Sequence, residues 1–156
     1  MADQKLPMRL GVGIILLNTK NQVFVGKRRD NPGDKWQMPQ GGVENGEDFC
    51  TAMKRELQEE TGIKSIEVIK EIEKMFEYEL PKKLIGVIWK GKFKGQKQKW
   101  FIAQFIGNEN EINLNTKYPE FIEWKWIKVD ELPKVIVDFK KNLYLNLLKE
   151  IKLVID

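Results

Sequence analysis

Three glutamates sit where a helix should present its apolar side, and that conflict constrains the chain more than any other feature. Residues 47–61 predict a helix. Phe49, Ala52, Met53 and Leu57 recur at spacings of three and four, one face of a 3.6-residue period. Gly62 follows the last periodic residue and predicts the stop. At about 100° per residue, Glu56 and Glu60 fall on the side of Phe49 and Met53, with Glu59 at its edge beside Ala52. Glu56 lies three residues from Glu59 and four from Glu60, spacings at which like charges repel. All three occupy the last turns, where the helix dipole disfavours anions. Local rules broken together mark functional sites.

A hard divalent cation resolves the conflict. Mg²⁺ and Mn²⁺ take oxygen ligands, and Mg²⁺ commonly uses one or two carboxylates together with phosphates and water. The bland reading of the same residues is a solvated acidic helix with Arg55 and Glu59 as an i,i+4 pair. The stretch before the helix favours the cation. Gly41, Gly42 and Gly46 let the backbone bend and approach a ligand, and a glycine loop feeding a helix N-terminus is an anion site.

Gly41, five residues, Glu47, seven residues, then Arg55-Glu56-Leu57-Gln58-Glu59-Glu60-Thr61-Gly62-Ile63 resembles the Nudix box at every defined position. The box is the signature of hydrolases that cut a nucleoside diphosphate linked to another group. The resemblance implies a metal-dependent pyrophosphohydrolase with Mg²⁺, or Mn²⁺, as cofactor. By position, Glu56, Glu59 and Glu60 resemble the metal-binding carboxylates, and Glu59 or Glu60 the base. Arg55 and Glu47 resemble the ion pair that orients them, with Gly41 opening the box.

Composition bounds the rest. The 156 residues suffice for one domain with a proper core, expected to run over residues 1–156. The longest apolar run, Ile14 to Leu17, is too short to span a membrane, and the start MADQKLPMRL lacks the apolar stretch of a signal peptide. The single Cys50 has no internal disulfide partner, so a reducing, cytoplasmic setting is expected, and it reads as a small filler on the helix. With no histidine, acid–base work falls to carboxylates, lysine, tyrosine or water on a metal. The net charge of +4 is unevenly placed. Leu80 to Asn108 holds Lys82, Lys83, Lys90, Lys92, Lys94, Lys97 and Lys99 and no acidic residue. Such a block favours a polyanion; its plainer reading is a sheet edge blunted by lysines.

In chain order, Arg9 to Leu17 and Gln22 to Lys27 predict two strands joined by a turn as a hairpin. Pro32, Gly33 and Pro39 predict a loop after Arg28 and Arg29, with a short strand at Lys35 to Met38. Ile66 to Tyr78 reads as a strand or a pair of strands. Lys83 to Trp89, Lys99 to Ile106 and Phe121 to Ile127 read as strands, Asp130 to Pro133 as a helical turn. Phe139, Leu143, Leu147, Leu148 and Ile151 mark an amphipathic C-terminal helix. The pattern alone supports α/β or α+β. The resemblance implies the Nudix fold: an α/β/α sandwich with a mixed central sheet, the box helix and that C-terminal helix.

Four segments outside the box, WQMPQGG, YELPKKL, GQKQKWF and PEFIEWKW, resemble the bacterial RNA 5′-pyrophosphohydrolase branch, also described as dinucleoside polyphosphate hydrolases. The implied reaction removes pyrophosphate from 5′-triphosphate RNA, acts on 5′-diphosphate ends too, leaves a monophosphate and promotes RNA decay. Matched by motif, Glu120 resembles an additional metal carboxylate, against the plainer role of a loop acid capping a strand. Arg9, Gln96 and Lys97 resemble phosphate-binding residues. Val137 and Phe139 resemble an apolar clamp for a base, with Arg28 on its other face; stacking between a ring and a guanidinium is common in RNA recognition. Spacing alone would make Val137 and Phe139 core residues.

Three rivals remain at this point. Dinucleoside polyphosphates offer the same phosphate chain, and the box does not separate them from 5′-triphosphorylated RNA. An oxidised nucleoside triphosphate is a third substrate, disfavoured by the segments outside the box. A non-catalytic Nudix domain that binds RNA or a nucleotide would need no three clashing carboxylates. No stable protein partner and no membrane are expected.

Overall fold

The computed structural model describes residues 5–30, 33–117 and 119–155; Pro32 of the predicted loop lies outside the described residues. Seven strands and three helices follow one another as β1 (Met8–Leu17), β2 (Gln22–Arg28), β3 (Gln40–Gly42), α1 (Phe49–Thr61), β4 (Ile66–Glu71), β5 (Phe76–Glu79), β6 (Gly95–Phe105), β7 (Phe121–Lys128), α2 (Leu132–Val135) and α3 (Lys141–Ile155). The sheet runs β4-β6-β1-β2-β7, with β3 beside β1 and β5 beside β6. It is mixed: β1 and β6 pair in parallel from Met8↔Gly95 to Leu17↔Gln104, and the other pairs are antiparallel.

The last seven residues of β1 are all buried, because this central strand is covered on both faces. Alternation then sorts its side chains. Val12, Ile14 and Leu16 join Phe24, Phe101, Ala103 and the Ala52, Met53 and Leu57 side of α1. Ile15 and Leu17 join Val23, Val25, Trp100, Ile102 and the Leu143, Tyr144, Leu147 and Ile151 side of α3. Helix, sheet and helix thus form the expected three layers. Truncating a fully buried anchor such as Leu57 to Ala would cost about 2–5 kcal/mol.

Helix α1 begins two residues later than its periodicity predicts. Asp48 accepts a 2.7 Å bond from the Thr51 N–H and so caps the helix N-terminus. Gly62 ends it in the left-handed conformation, φ 75°, donating 2.8 Å to Gln58 O.

The site is made possible by a parting of strands. β1 and β2 are in register only at Leu17↔Val23, where their hairpin turns, and then diverge. Residues 36–42 enter the gap. Gln37 exchanges two backbone bonds with Gly26, Ile14 donates to Pro39 O at 3.0 Å, and β3 runs alongside Gly11 to Gly13. The strand expected at Lys35 to Met38 is therefore a single bridge, and the true strand lies at Gln40–Gly42.

A second expectation fails more fully. Lys83 to Trp89 is no strand but two 3-10 turns, at Lys82–Leu84 and Ile88–Gly91. Leu84, Ile85, Ile88 and Trp89 rest on the core at a spacing nearer four than two. Gly86 (φ 92°), Trp89 (54°), Lys90 (57°) and Gly91 (73°) all take the left-handed conformation, which no strand admits.

Candidate active site

Glu56 and Glu60 lie where α1 meets β3. Gly41 has no side chain because the Glu56 carboxyl occupies that space: a Cβ there would lie 2.0 Å from its carbon. Glu56 is half-buried, and burial raises its pKa against the pull of Arg55. Glu60 is buried, 4% exposed, and its Oε2 has no hydrogen-bond partner. Burial, then the charges of Glu56 and Glu120, push its pKa well above the usual carboxylate range, against Arg28 and the Gln40 backbone. Glu59 points outward, its Oε2 accepting 3.2 Å from Arg55 Nη1. Glu120 is exposed, 3.9 Å from Arg28 Nη2. Among the described residues, no three acidic side chains stand close enough to grip one ion as they are placed.

Arg55 binds this corner together. Nε and Nη2 donate to the two oxygens of Glu47 at 2.8 and 3.0 Å, Nη2 to Gly42 O at 2.8 Å, and Nη1 to Glu56 at 2.9 Å. This fork draws the Glu47 pKa down to about 2 and raises that of Arg55.

The residues expected to meet phosphate are placed apart. Gln96 and Lys97 are neighbours on β6, so their side chains leave the sheet on opposite faces. Lys97 is exposed. Gln96 is fully buried, its Oε1 taking bonds from Tyr78 Oη (3.0 Å), Gln98 Nε2 (2.8 Å) and Gln40 Nε2 (3.3 Å). These bonds tie it to Gln40, Tyr78 and Gln98. Arg9 stands across the parallel register from Gln96, with its guanidinium against Gly42 and Trp89. Of the seven lysines between Leu80 and Asn108, Lys99 is tied to Glu73 O (2.6 Å) and Lys94 lies 3.7 Å from Glu79, while Lys82, Lys83, Lys90, Lys92 and Lys97 are exposed.

The clamp is likewise divided. Arg28 and Val137 line one narrow pocket with Lys35, Trp36, Gln37 and Ile136. Phe139 turns away toward Tyr78, centroids 5.9 Å apart. Asp30 holds Arg28 by a fork of 2.8 and 2.6 Å, which fixes the guanidinium edge and leaves its faces for stacking.

Two participants escape a reading by motif. Lys140 is buried, 5.0 Å over the Tyr78 ring, with Gln37 Oε1 3.4 Å from its Nζ. Burial, then Arg28, lowers its pKa to about 7, against Glu60 and Asp30. Tyr144 accepts 2.7 Å from the Met38 N–H and fastens the inserted segment to α3. The signal was present: Lys140, Tyr144, Leu147 and Ile151 share one helical face, and a lysine on that face is out of place.

Residues 7–147 match a sequence model of the NUDIX domain. A protein of Pelagibacter ubique (strain HTCC1062) named RNA pyrophosphohydrolase is 55% identical over 154 residues, 97% of this chain and 98% of its own. One of the same name from Rickettsia prowazekii (strain Madrid E) is 46% identical over 145 residues, 93% and 90% of the two chains. Among solved structures, the E. coli dihydroneopterin triphosphate pyrophosphohydrolase superposes with a TM-score of 0.69 at 20% identity, covering 94% of this chain and 99% of that one. A C. elegans Ap4A hydrolase binary complex gives 0.66 at 20% identity, over 93% and 98%. At these identities the structural likeness is one of fold.

Proposed function

The chain belongs to the Nudix family, and from that premise we propose that it is an RNA 5′-pyrophosphohydrolase, converting 5′-triphosphate or 5′-diphosphate ends to 5′-monophosphate and so promoting RNA decay. It is a hydrolase of phosphoric anhydride bonds. The Pelagibacter and Rickettsia relatives carry the name of this activity, and the chain spans nearly all of each. No helix among the described residues is long and apolar enough to cross a membrane.

The observation that carries the proposal is the buried, unpartnered Oε2 of Glu60 beside the charges of Glu56 and Glu120. A carboxylate oxygen so placed costs stability unless something positive meets it. The donor set is all oxygen, which suits a hard divalent ion, Mg²⁺ or Mn²⁺. Glu56, Glu59 and Glu60 would hold it, joined by Glu120; the exposed Glu59 and Glu120 have no packing to stop their side chains turning inward. When bound, such an ion would polarise the phosphoryl group, neutralise charge on the departing pyrophosphate and make a water more acidic. Glu59 or Glu60 accepts that water's proton. Arg55 and Glu47 keep the α1 carboxylates oriented. Arg9 meets phosphate oxygens, and the faces of Arg28 and Val137 receive a base. Catalysis is then mainly positioning and neutralisation of phosphate charge.

The test is a competition: purified protein and Mg²⁺ with equal concentrations of short 5′-triphosphate RNA and diadenosine tetraphosphate, products followed in time. Faster release of pyrophosphate from RNA is expected. Faster cleavage of the dinucleotide would make this a small-molecule hydrolase, and no metal-dependent cleavage of either would overturn the proposal.

A further inference from the structure

Arg9 is a half-buried guanidinium with nothing to bind. Among the described residues it makes no hydrogen bond and no ion pair, although Glu56, Glu120 and Tyr78 all contribute to its electrostatic surroundings. Burial is the largest influence on its pKa, and it is a lowering one. Two contacts hold it in that state. Its Nη2 lies where a side chain on Gly42 would be, 2.3 Å from the position of a Cβ. The guanidinium also lies over the Trp89 ring, its carbon 5.2 Å from the ring centroid, a cation–π contact.

Trp89 reaches this place by an unfavourable backbone. It and Lys90 take consecutive left-handed conformations, φ 54° and 57°, a strain that persists only where the surroundings hold it and that gathers at functional sites. The same segment carries the exposed Lys82, Lys83, Lys90 and Lys92, which draw in a polyanion.

We propose that Trp89 is a positioning residue, gripping the Arg9 guanidinium against Gly42 so that its donors stay unpaired and aimed at the substrate's triphosphate. A cation–π contact holds the guanidinium through its charge and takes no oxygen partner, so the ring can fix its place without an acceptor for its N–H groups. The glutamates alone would draw Arg9 toward themselves; the ring keeps it available. The inference rests on the phosphate-binding role given to Arg9 above.

The test compares wild type with Trp89→Ala, Trp89→Phe, Trp89→Gly and Arg9→Ala in three readouts: hydrolysis of 5′-triphosphate RNA, calorimetric affinity for inorganic tripolyphosphate, and melting. Trp89→Ala should raise KM and weaken tripolyphosphate binding, each about tenfold, while kcat moves less than about twofold. Trp89→Phe should recover most of the loss. Trp89→Gly, which relieves the left-handed strain, should melt no lower than Trp89→Ala yet bind tripolyphosphate as weakly. In an Arg9→Ala background, Trp89→Ala should do nothing more. A Trp89→Ala protein that melts lower with KM and affinity intact, or whose defect persists without Arg9, overturns the positioning role. If wild type leaves RNA uncut but binds tripolyphosphate through both residues, the substrate reading fails and the grip stands.

Discussion

Two arginines lean on the same corner of the molecule and are treated in opposite ways. Arg55 has all three nitrogens engaged, on Glu47, Glu56, Glu59 and Gly42 O. Arg9 touches the other side of Gly42 and has no partner among the described residues. The division runs through the whole site. Glu47 belongs to the saturated set; Glu60, with its orphan oxygen, and Lys140, with one long bond, belong with Arg9. A saturated charge holds structure, and removing it leaves its partners stranded. An unsaturated buried charge costs stability while the site is empty, and that cost makes sense only if a ligand later meets it. Loss of a saturated member should therefore harm both stability and activity, and loss of an unsaturated one should harm activity alone.

Glu60→Gln puts the largest effect on that difference. Turnover of 5′-triphosphate RNA should fall by at least about a thousandfold. The melting temperature should hold or rise, because the amide has no carboxyl to ionise in a buried place beside Glu56 and Glu120. An assay with an unfolding scan checks both; near-normal turnover, or a marked loss of stability, would erase the distinction. Lys140→Met tests the positive member. The ammonium has a folded pKa of about 7 against an ordinary 10.5. Between those values the unfolded chain binds more protons, so wild-type stability should climb as pH rises from about 7 to about 10.5. The variant should lack that slope and be the more stable at pH 6, by a few kcal/mol. Urea unfolding across the range reads the result, and parallel curves would show that Lys140 finds a partner after all.

Much of this division was legible in the amino-acid order, and the limit has a physical form. The glutamates on the apolar face of α1, the glycine stop and the strand spans at Gln22 to Lys27 and Phe121 to Ile127 are local patterns, and the structure realises them. Parted strands are not local: nothing between Gln22 and Gly42 says that the chain re-enters between β1 and β2, and that insertion sets where Gly41 meets Glu56. Gln96 and Lys97 both resemble phosphate-binding residues by motif, and which face of the sheet each one takes depends on the strand, which sends neighbours to opposite sides. The apolar residues of Lys83 to Trp89 suit a strand by number, and their spacing, nearer four than two, suits turns instead. Arg28 gave no hint of Asp30, since a two-residue fork across a turn has no periodic signature.

The saturated set gives smaller effects of the other kind. Arg55→Ala strands Gly42 O and frees Glu47, Glu56 and Glu59, so stability should fall by about 2–3 kcal/mol together with activity. Chemical denaturation is the check, and a variant as stable as wild type would place Arg55 with Arg9.

Glu47→Gln is the finest probe, because it weakens the fork without emptying it. Arg55 holds the folded Glu47 pKa down to about 2, below its ordinary 4.5. A depressed carboxylate stabilises the fold above its unfolded pKa, and that contribution drains as pH falls from about 4.5 toward 2. Wild type should therefore exceed Glu47→Gln in stability at pH 6 and converge with it near pH 2. The gap should be modest, since the amide still accepts from Arg55, which keeps its bonds to Glu56 and Gly42 O, and salt still reaches the partly exposed guanidinium. It should also shrink in concentrated salt, whereas the Glu60→Gln loss of turnover, which rests on a buried oxygen, should outlast the same treatment. A gap that ignored both pH and salt would mean that the fork acts by shape alone, and the contrast between the two arginines would rest on packing rather than on paired charge.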